Sequence, residues 1–177
     1  YALNELLHRK DIDERNRSQF VGTCLLYVKD EVATQCRGGR VNELMNAKLK
    51  ARWEQFSAKQ IRDGIGEVLE SLLDGSKNKD TKVKLLNRDV LGDQKVRALT
   101  KDDWVEVLSY ILMNIYRFID ADSSEGQDIL NLFFITFNKY VGKADKNQAF
   151  TPDHITDFMT QLTEVSFKDV VLDECCG

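Results

Sequence analysis

The residue types best suited to chemistry lie toward the end of the sequence. Phe150 is followed by Thr151 and Pro152. A threonine hydroxyl can cap the first turn of a helix, and proline suits the first helical position because its missing N–H has no partner there anyway. The free N–H groups at a helix start can hold a phosphate or a carboxylate. The segment therefore predicts a helix whose first turn can face an anionic ligand.

A second group of such residues runs from Asp173 to Gly177. It follows an apolar run, Val-Val-Leu at positions 170–172, which is typical of a buried parallel strand. An acidic residue after such a strand can bind hydroxyl or amino groups, and glycine lets the backbone approach a ligand closely. The pattern indicates the beginning of a site for a nucleotide-like cofactor, although short patterns of this kind also occur by chance.

The cysteines and histidines show no spacing that is typical of a metal site or a nucleophile. They are Cys24, Cys36, Cys175, Cys176, His8 and His154. The first two cysteines are separated by eleven residues and the last two are adjacent, and neither spacing is that of a zinc site. We therefore expect reduced thiols and no metal. A hydrolytic site built on His154 and a cysteine is not supported, because no base and orienting group accompany them.

We expect helices to position these residues. Proline interrupts helices, and Pro152 is the only proline in the sequence, so long helices are permitted almost everywhere. Apolar spacing predicts helices over residues 18–35, 47–73 and 100–119, a short helix within 82–99, and one that ends before Gly142. Gly64 and Gly66 are expected to bend the second helix. Thr100 with Asp103 predicts a capping box. Residues 38–45 and 76–81 are interpreted as connectors, the latter as a mobile loop.

The helix after Pro152 has apolar residues at helical spacing, and we expect this face to be buried. They are Ile155, Phe158, Met159 and Leu162. The fold class is predicted to be all-α, mainly a helical bundle over residues 1–147. Residues 148–177 are predicted to add the first helix, and in one reading the first strand, of an α/β domain.

Charge is unevenly distributed, although the net charge is only -4. Residues 37–62 contain seven basic and two acidic residues, and residues 76–101 contain eight basic and three acidic ones. Residues 102–177 contain five basic and fourteen acidic residues. Basic segments can bind nucleic acid or an acidic protein. Solvated helix faces and a lysine-rich loop have the same composition, and charge alone favours that plainer interpretation.

The motifs together resemble a known family. Residues 150–152, Phe-Thr-Pro, with the helix after them resemble the Tyr/Phe-Thr-Pro motif of type I modification subunits and related DNA adenine methyltransferases. Residues 171–177 resemble the start of the next motif, Asp-Pro-x-x-Gly-Ser/Thr-Gly, with Glu174 in place of the proline. The preceding helices, including residues 127–131, look like the N-terminal helical domain of that family.

The resemblance implies a function for the whole protein, which is methyl transfer from S-adenosylmethionine to the exocyclic amino group of adenine in DNA. It implies that Phe150 and Thr151 bind the cofactor from one side, and Asp173 and Gly177 from the other. It implies that the helical domain contacts DNA, the specificity subunit, a second modification subunit and, where present, a restriction subunit. The basic segments 37–62 and 76–101 are the candidates for phosphate contacts.

The catalytic motif of that family, Asn/Asp-Pro-Pro-aromatic, grips the flipped adenine. A chain with a single proline cannot contain it. We therefore assign no catalytic residue. We expect the chain to stop within the cofactor motif, to bind S-adenosylmethionine weakly and to be inactive alone.

The alternative is a non-catalytic helical module that binds protein or nucleic acid, in which residues 150–152 are only a helix start. The coding sequence after Gly177 distinguishes the two, because the methyltransferase continues with a Gly-x-Gly turn. No apolar run approaches the ~20 residues that span a bilayer. The first residues carry no signal-peptide pattern. We expect a cytoplasmic protein that has no membrane partner.

Overall fold

The chain divides into two compact units, residues 1–143 and 144–177. A computed structural model describes residues 2–14, 16–36, 41–75, 78–119, 153–164, 166, 169–170 and 172. The helices are α1 (Ala2–Arg9), α2 (Arg17–Cys36), α3 (Glu43–Trp53), α4 (Ala58–Leu72), α5 (Lys79–Leu85), α6 (Gln94–Ala98), α7 (Lys101–Asn114) and, in the second unit, α8 (Asp153–Thr163). The described residues include no strand, which agrees with the predicted all-α class.

The central element of the first unit is α2, which packs against α3, α4 and α7. Its position was predicted correctly to within a residue at each end. Phe20, Val21, Cys24 and Val28 are fully buried. A helix that is covered on several sides needs apolar residues all around rather than along one stripe. The ring of Phe20 lies 5.5 Å from that of Trp104 in α7, and these two helices form the middle of the core.

The predicted single helix over residues 47–73 is wrong, because the chain breaks at residues 54–57 into α3 and α4. Ser57 caps α4, and its backbone N–H donates to the Gln60 side chain while its hydroxyl accepts from the Gln60 backbone N–H. This capping box starts a new helix. Gly64 and Gly66, where we expected a bend, both lie within α4. The predicted end of the helix at residue 73 is correct to within one residue, because α4 ends at Leu72. Gly75, shortly after this end, has a φ of 77°, which glycine adopts readily.

Residues 78–99 contain more helix than predicted. The expected loop over residues 76–81 already becomes α5 at Lys79. A π-helical turn, Leu86–Leu91, joins α5 to the loop before α6. At Gly92 a side-chain Cβ would lie 2.6 Å from the Arg88 carbonyl oxygen, so only glycine fits this turn. Asp93 then caps α6 by accepting from the backbone N–H groups of Lys95 and Val96.

The capping box predicted at Thr100 and Asp103 is confirmed, and it starts α7. The helix ends at Asn114 rather than at Ile119, and a 3-10 turn, Tyr116–Phe118, follows. Ile115 is buried although its φ of -127° is not helical. The apolar spacing of the sequence continues past the end of α7, because Ile115, Tyr116 and Ile119 pack against the same core as the helix.

The N-terminal helix α1 was not predicted, and it is anchored by a buried arginine. Leu6 and Leu7 of α1 are buried. Arg17, with 5% of its surface exposed, donates from Nε to the Ile12 carbonyl and from a terminal nitrogen to the Asn4 side chain. None of the described helices is long and apolar enough to cross a membrane.

Candidate functional site: two grooves beside helix α4

The four residues assigned to the cofactor, Phe150, Thr151, Asp173 and Gly177, lie outside the described residues. The helix predicted to follow Pro152 is present, because α8 begins at Asp153. Its first turn also carries His154, which is exposed. The structure thus contains the helix of the first motif, while its cap and the residues of the second motif stay predictions.

The expected burial of the apolar face of α8 is wrong. The exposed fractions are 40% for Ile155, 61% for Phe158, 56% for Met159 and 70% for Leu162. Apolar spacing predicts which side of a helix is apolar, but that side is buried only where another element covers it. The face of α8 is therefore an exposed apolar surface in this structure.

The segment after α8 begins with a local turn. Asp169 accepts hydrogen bonds from the Ser166 backbone N–H at 2.7 Å and from its hydroxyl at 2.8 Å. These bonds hold the pKa of Asp169 below its usual range. Val170 and Leu172 follow with 98% and 79% of their surface exposed, and neither lies in a strand. A parallel strand forms only beside another strand, and the described residues provide none.

Several basic residues of the 37–62 segment are used within the fold. Arg52 donates from Nε to Glu31 at 3.0 Å, and its guanidinium lies 5.1 Å from the centre of the Phe56 ring. Lys48 donates to the Gln35 carbonyl. Contacts of this kind neutralise or orient charge that composition counts as free. The local excess of basic residues therefore overstates the positive charge that a ligand would meet.

The 76–101 segment behaves in the same way. Lys79 pairs with Asp74 at 3.0 Å, which raises the pKa of the lysine and lowers that of the carboxyl group. Further ion pairs join Arg88 to Asp89 and Lys95 to Asp11. Among the basic residues of both segments that the structure describes, five are exposed and make no hydrogen bond or ion pair through the side chain: Lys50, Lys59, Lys84, Arg97 and Lys101.

The two basic segments meet at one groove of about 490 Å³, which we call the Arg62–Arg97 groove. It is lined by Arg62, Asp63, Gly66, Glu67, Glu70, Asn87, Leu91, Gly92 and Arg97. Two guanidinium groups could hold a phosphate. Three carboxylates of α4 line the same space, so the groove as a whole is not positive. Counting charged residues over positions 37–62 did not show these carboxylates, because the acidic residues of α4 begin at Asp63, just after that segment.

A second groove, of about 650 Å³, lies between α2 and α4, and we call it the α2–α4 groove. It is lined by Tyr27, Asp30, Glu31, Thr34, Gln35, Arg52, Phe56, Gln60, Asp63, Gly64, Glu67, Val68 and Ser71. Burial, with Glu31 nearby, raises the pKa of Tyr27, so its phenol is neutral. Sequence analysis did not find this groove, since its acidic residues belong to two helices that only the tertiary fold brings together.

In the part of the chain that the structure describes, no three His, Cys, Asp or Glu side chains gather as a metal ion requires. Burial raises the pKa of the Cys24 thiol, and Cys36 is half-buried and free. No protein-family model matches the chain, and no curated protein or solved structure is significantly similar to it. The functional argument therefore depends on the residues and on the geometry of the fold.

Proposed function

We propose that this chain is the N-terminal helical domain of a type I DNA adenine methyltransferase subunit, joined to the start of its S-adenosylmethionine-binding domain. One observation carries the proposal. After a helical unit, helix α8 begins at Asp153, directly after the Phe-Thr-Pro sequence of residues 150–152. A threonine and a proline are residue types that favour a helix start, and the free N–H groups of a first helical turn can face an anionic ligand.

On this proposal the helical unit positions DNA and other subunits, while catalysis belongs to sequence outside these 177 residues. Phe150 and Thr151 contact the cofactor from one side, and Asp173 and Gly177 contact it from the other. The exposed Lys50, Lys59 and Lys84 are candidates for contacts with DNA phosphates. Lysines that have no carboxylate partner in the fold can neutralise phosphates, and this makes binding depend steeply on salt.

The cofactor assignment is tested in the full-length protein by calorimetric titration with S-adenosylmethionine. We expect Asp173→Asn to weaken cofactor binding at least about tenfold, which corresponds to a loss of ~1.4 kcal/mol. Asp157→Asn on the exposed surface of α8 is the matched control and should leave binding unchanged. Equal binding by both variants, or a full-length protein without the Asn/Asp-Pro-Pro-aromatic sequence, would contradict the proposal.

A second candidate is a non-catalytic helical module that binds another protein. The exposed apolar residues of α8, such as Phe158 and Leu162, favour it, since large apolar patches on a surface often mark an interaction site. This candidate predicts that the full-length protein binds no S-adenosylmethionine. It also predicts that Phe158→Ser weakens binding of the protein partner and leaves DNA binding unchanged.

A further inference from the structure

The Arg62–Arg97 groove is lined by opposite charges that do not pair across it. Arg62 of α4 and Arg97 of α6 contribute two positive charges, and Asp63, Glu67 and Glu70 of α4 contribute three negative ones. Within the part of the chain that the structure describes, the only ion pair of these five groups joins Arg62 to its neighbour Asp63. The side chains of Arg97, Glu67 and Glu70 make no hydrogen bond or ion pair with a described residue.

The guanidinium group of Arg62 lacks a hydrogen-bond acceptor. Only 20% of this side chain is exposed, yet its nitrogens donate to none of the described residues. The contact with Asp63 is 3.8 Å long, which is beyond hydrogen-bond distance. Leaving the donors of a largely buried charged group without acceptors is costly, and a ligand with anionic oxygen atoms would satisfy them.

Gly66 leaves the space that such a ligand needs. It lies inside α4, where glycine is less favourable than alanine, and its backbone does not require glycine, since Gly75 is the only described glycine with a positive φ. A Cβ at position 66 would lie 3.4 Å from the side-chain oxygen of Asn87 and 3.8 Å from a methyl carbon of Leu91. A longer side chain would therefore fill the space between α4 and the π-helical turn.

The π-helical turn places a further polar group in this space. The amide of Asn87 is half-buried, and it makes no hydrogen bond with a described residue. Turns of this kind occur frequently at functional sites. Two guanidinium groups, one amide and three carboxylates thus line a groove that a glycine keeps open.

We propose that the Arg62–Arg97 groove binds a small zwitterion with the chemistry of a basic amino acid. The ligand's carboxylate accepts hydrogen bonds from Arg62 and Arg97, and its ammonium groups face Glu67 and Glu70. Three carboxylates line the groove against two guanidinium groups, so a ligand with one carboxylate and two ammonium groups balances the charge. The inference depends only on the helical unit, and it stands whether or not the chain belongs to a methyltransferase.

The lining favours this class of ligand over a nucleotide or a nucleic acid. The volume of about 490 Å³ is that of a small-molecule site. Three carboxylates repel a polyanion such as DNA. None of the described residues that line the groove is aromatic, so a nucleobase has no ring to stack on.

The test follows the backbone amide signals of the isotope-labelled 177-residue chain by NMR during titration with L-lysine. Gly66 and Gly92 line the groove, so their signals report binding at this place. L-Lysinamide is the matched ligand, because it keeps both amino groups of lysine but lacks the carboxylate.

Two variants each remove one charge from the groove, Arg97→Met and Glu70→Gln. The matched controls are Lys101→Met and Glu5→Gln, which remove the same charges at exposed residues that do not line the groove. Circular dichroism and urea denaturation check that all four variants fold.

We expect L-lysine to shift the signals of Gly66 and Gly92 with a Kd in the millimolar range, because partly exposed ion pairs each contribute little. L-Lysinamide should bind at least about fivefold more weakly, since it offers the guanidinium groups no carboxylate. Arg97→Met should raise the Kd of L-lysine about fivefold and narrow the difference between the two ligands. Glu70→Gln should weaken the binding of both ligands alike, and the two controls should leave both Kd values unchanged.

Three results would overturn the inference. The first is binding of L-lysinamide as tight as that of L-lysine, which would mean that the carboxylates only attract cations. The second is an equal effect of Arg97→Met and Lys101→Met, which would mean that the ligand responds only to net charge. The third is a shift of the same glycine signals by inorganic phosphate at a lower concentration than by L-lysine, which would make the groove a site for anions. Loss of cofactor binding in the full-length Asp173→Asn variant bears on the methyltransferase proposal alone, so the two proposals can fail separately.

Discussion

The carboxylate of Asp103 joins the start of α7 to Lys10, which follows α1. One of its oxygens accepts from the Thr100 backbone N–H at 2.9 Å and from the Thr100 hydroxyl at 2.7 Å. Its other oxygen lies 2.5 Å from the Lys10 ammonium, which also pairs with Glu106. One side chain thus caps a helix and fixes the N-terminal segment against it.

This arrangement predicts how stability depends on pH at position 103. Partial burial raises the pKa of Asp103, but the hydrogen bonds from Lys10 and Thr100 outweigh burial and leave it below its usual range. A carboxyl group with a lowered pKa in the folded state stabilises the protein above its unfolded pKa, and this stabilisation is lost as the pH falls through the folded value. We expect Asp103→Asn to reduce the free energy of unfolding by about 1–2 kcal/mol at neutral pH.

The measurement is urea denaturation of both proteins between about pH 7 and about pH 3, a range that includes the usual pKa of an aspartate. The difference between wild type and variant should shrink toward the acid end. Asp102→Asn is the control, because Asp102 is exposed in the same turn and makes no cap. If both variants lose the same stability at all pH values, the cap and the bond to Lys10 do not act as described.

Two glycines should respond to alanine in opposite directions. Gly64 lies within α4, where an added Cβ would lie 3.7 Å from the Tyr27 ring, an ordinary contact distance. Gly64→Ala should therefore stabilise the protein by about 0.5–1 kcal/mol, the difference in helix propensity. Gly92→Ala should destabilise it by roughly 1–3 kcal/mol, because the Cβ would overlap the Arg88 carbonyl. Thermal denaturation of the two variants measures both effects, and a shift in the same direction for both would refute this account.

The buried Arg17 should matter far more than an exposed arginine. Arg17→Met removes the donor to the Ile12 carbonyl and to Asn4, and it leaves polar groups without partners inside the protein. We expect a loss of about 2–4 kcal/mol in the free energy of unfolding. Arg88→Met is the control, because that side chain is 76% exposed and pairs only with its neighbour Asp89. Its effect in urea denaturation should be much smaller than that of Arg17→Met.

Cysteine reactivity should follow burial. The Cys24 side chain is fully buried, and burial raises the pKa of its thiol, so almost no reactive thiolate is present at neutral pH. Iodoacetamide labelling followed by peptide mass spectrometry should modify Cys36 in the native protein and Cys24 only after unfolding. Equal labelling of both in the native state would show that α2 is not enclosed as described.

Local signals in the sequence were the most reliable. The Thr100 and Asp103 pair predicted the start of α7 because a capping box involves residues three apart and needs no tertiary structure. The same signal at Ser57 and Gln60 was present but was not used. The apolar spacing continues across residues 54–57, because α3 and α4 both bury residues in the same core. Spacing alone therefore predicted a single long helix.

The candidate site could not be predicted in this way. Asp30 and Glu67 line one groove only because α2 packs against α4, and no local pattern contains that information. Charge counts gave two basic segments, but they could not show that Arg52 is held by Glu31 and Phe56. For α8, apolar spacing predicted the helix and its apolar side. It could not predict whether that side is buried, because burial depends on which other element covers it.

The bond between Lys10 and Asp103 joins residues that are 93 positions apart. A chain is synthesised from its N-terminus, so α1 and α2 are made long before the helix that covers them. Until α7 exists, Phe20 has no Trp104 to pack against, and closing so long a loop slows folding. The described part of the helical unit therefore closes only after α7 has been synthesised, when α7 meets the segment that follows α1.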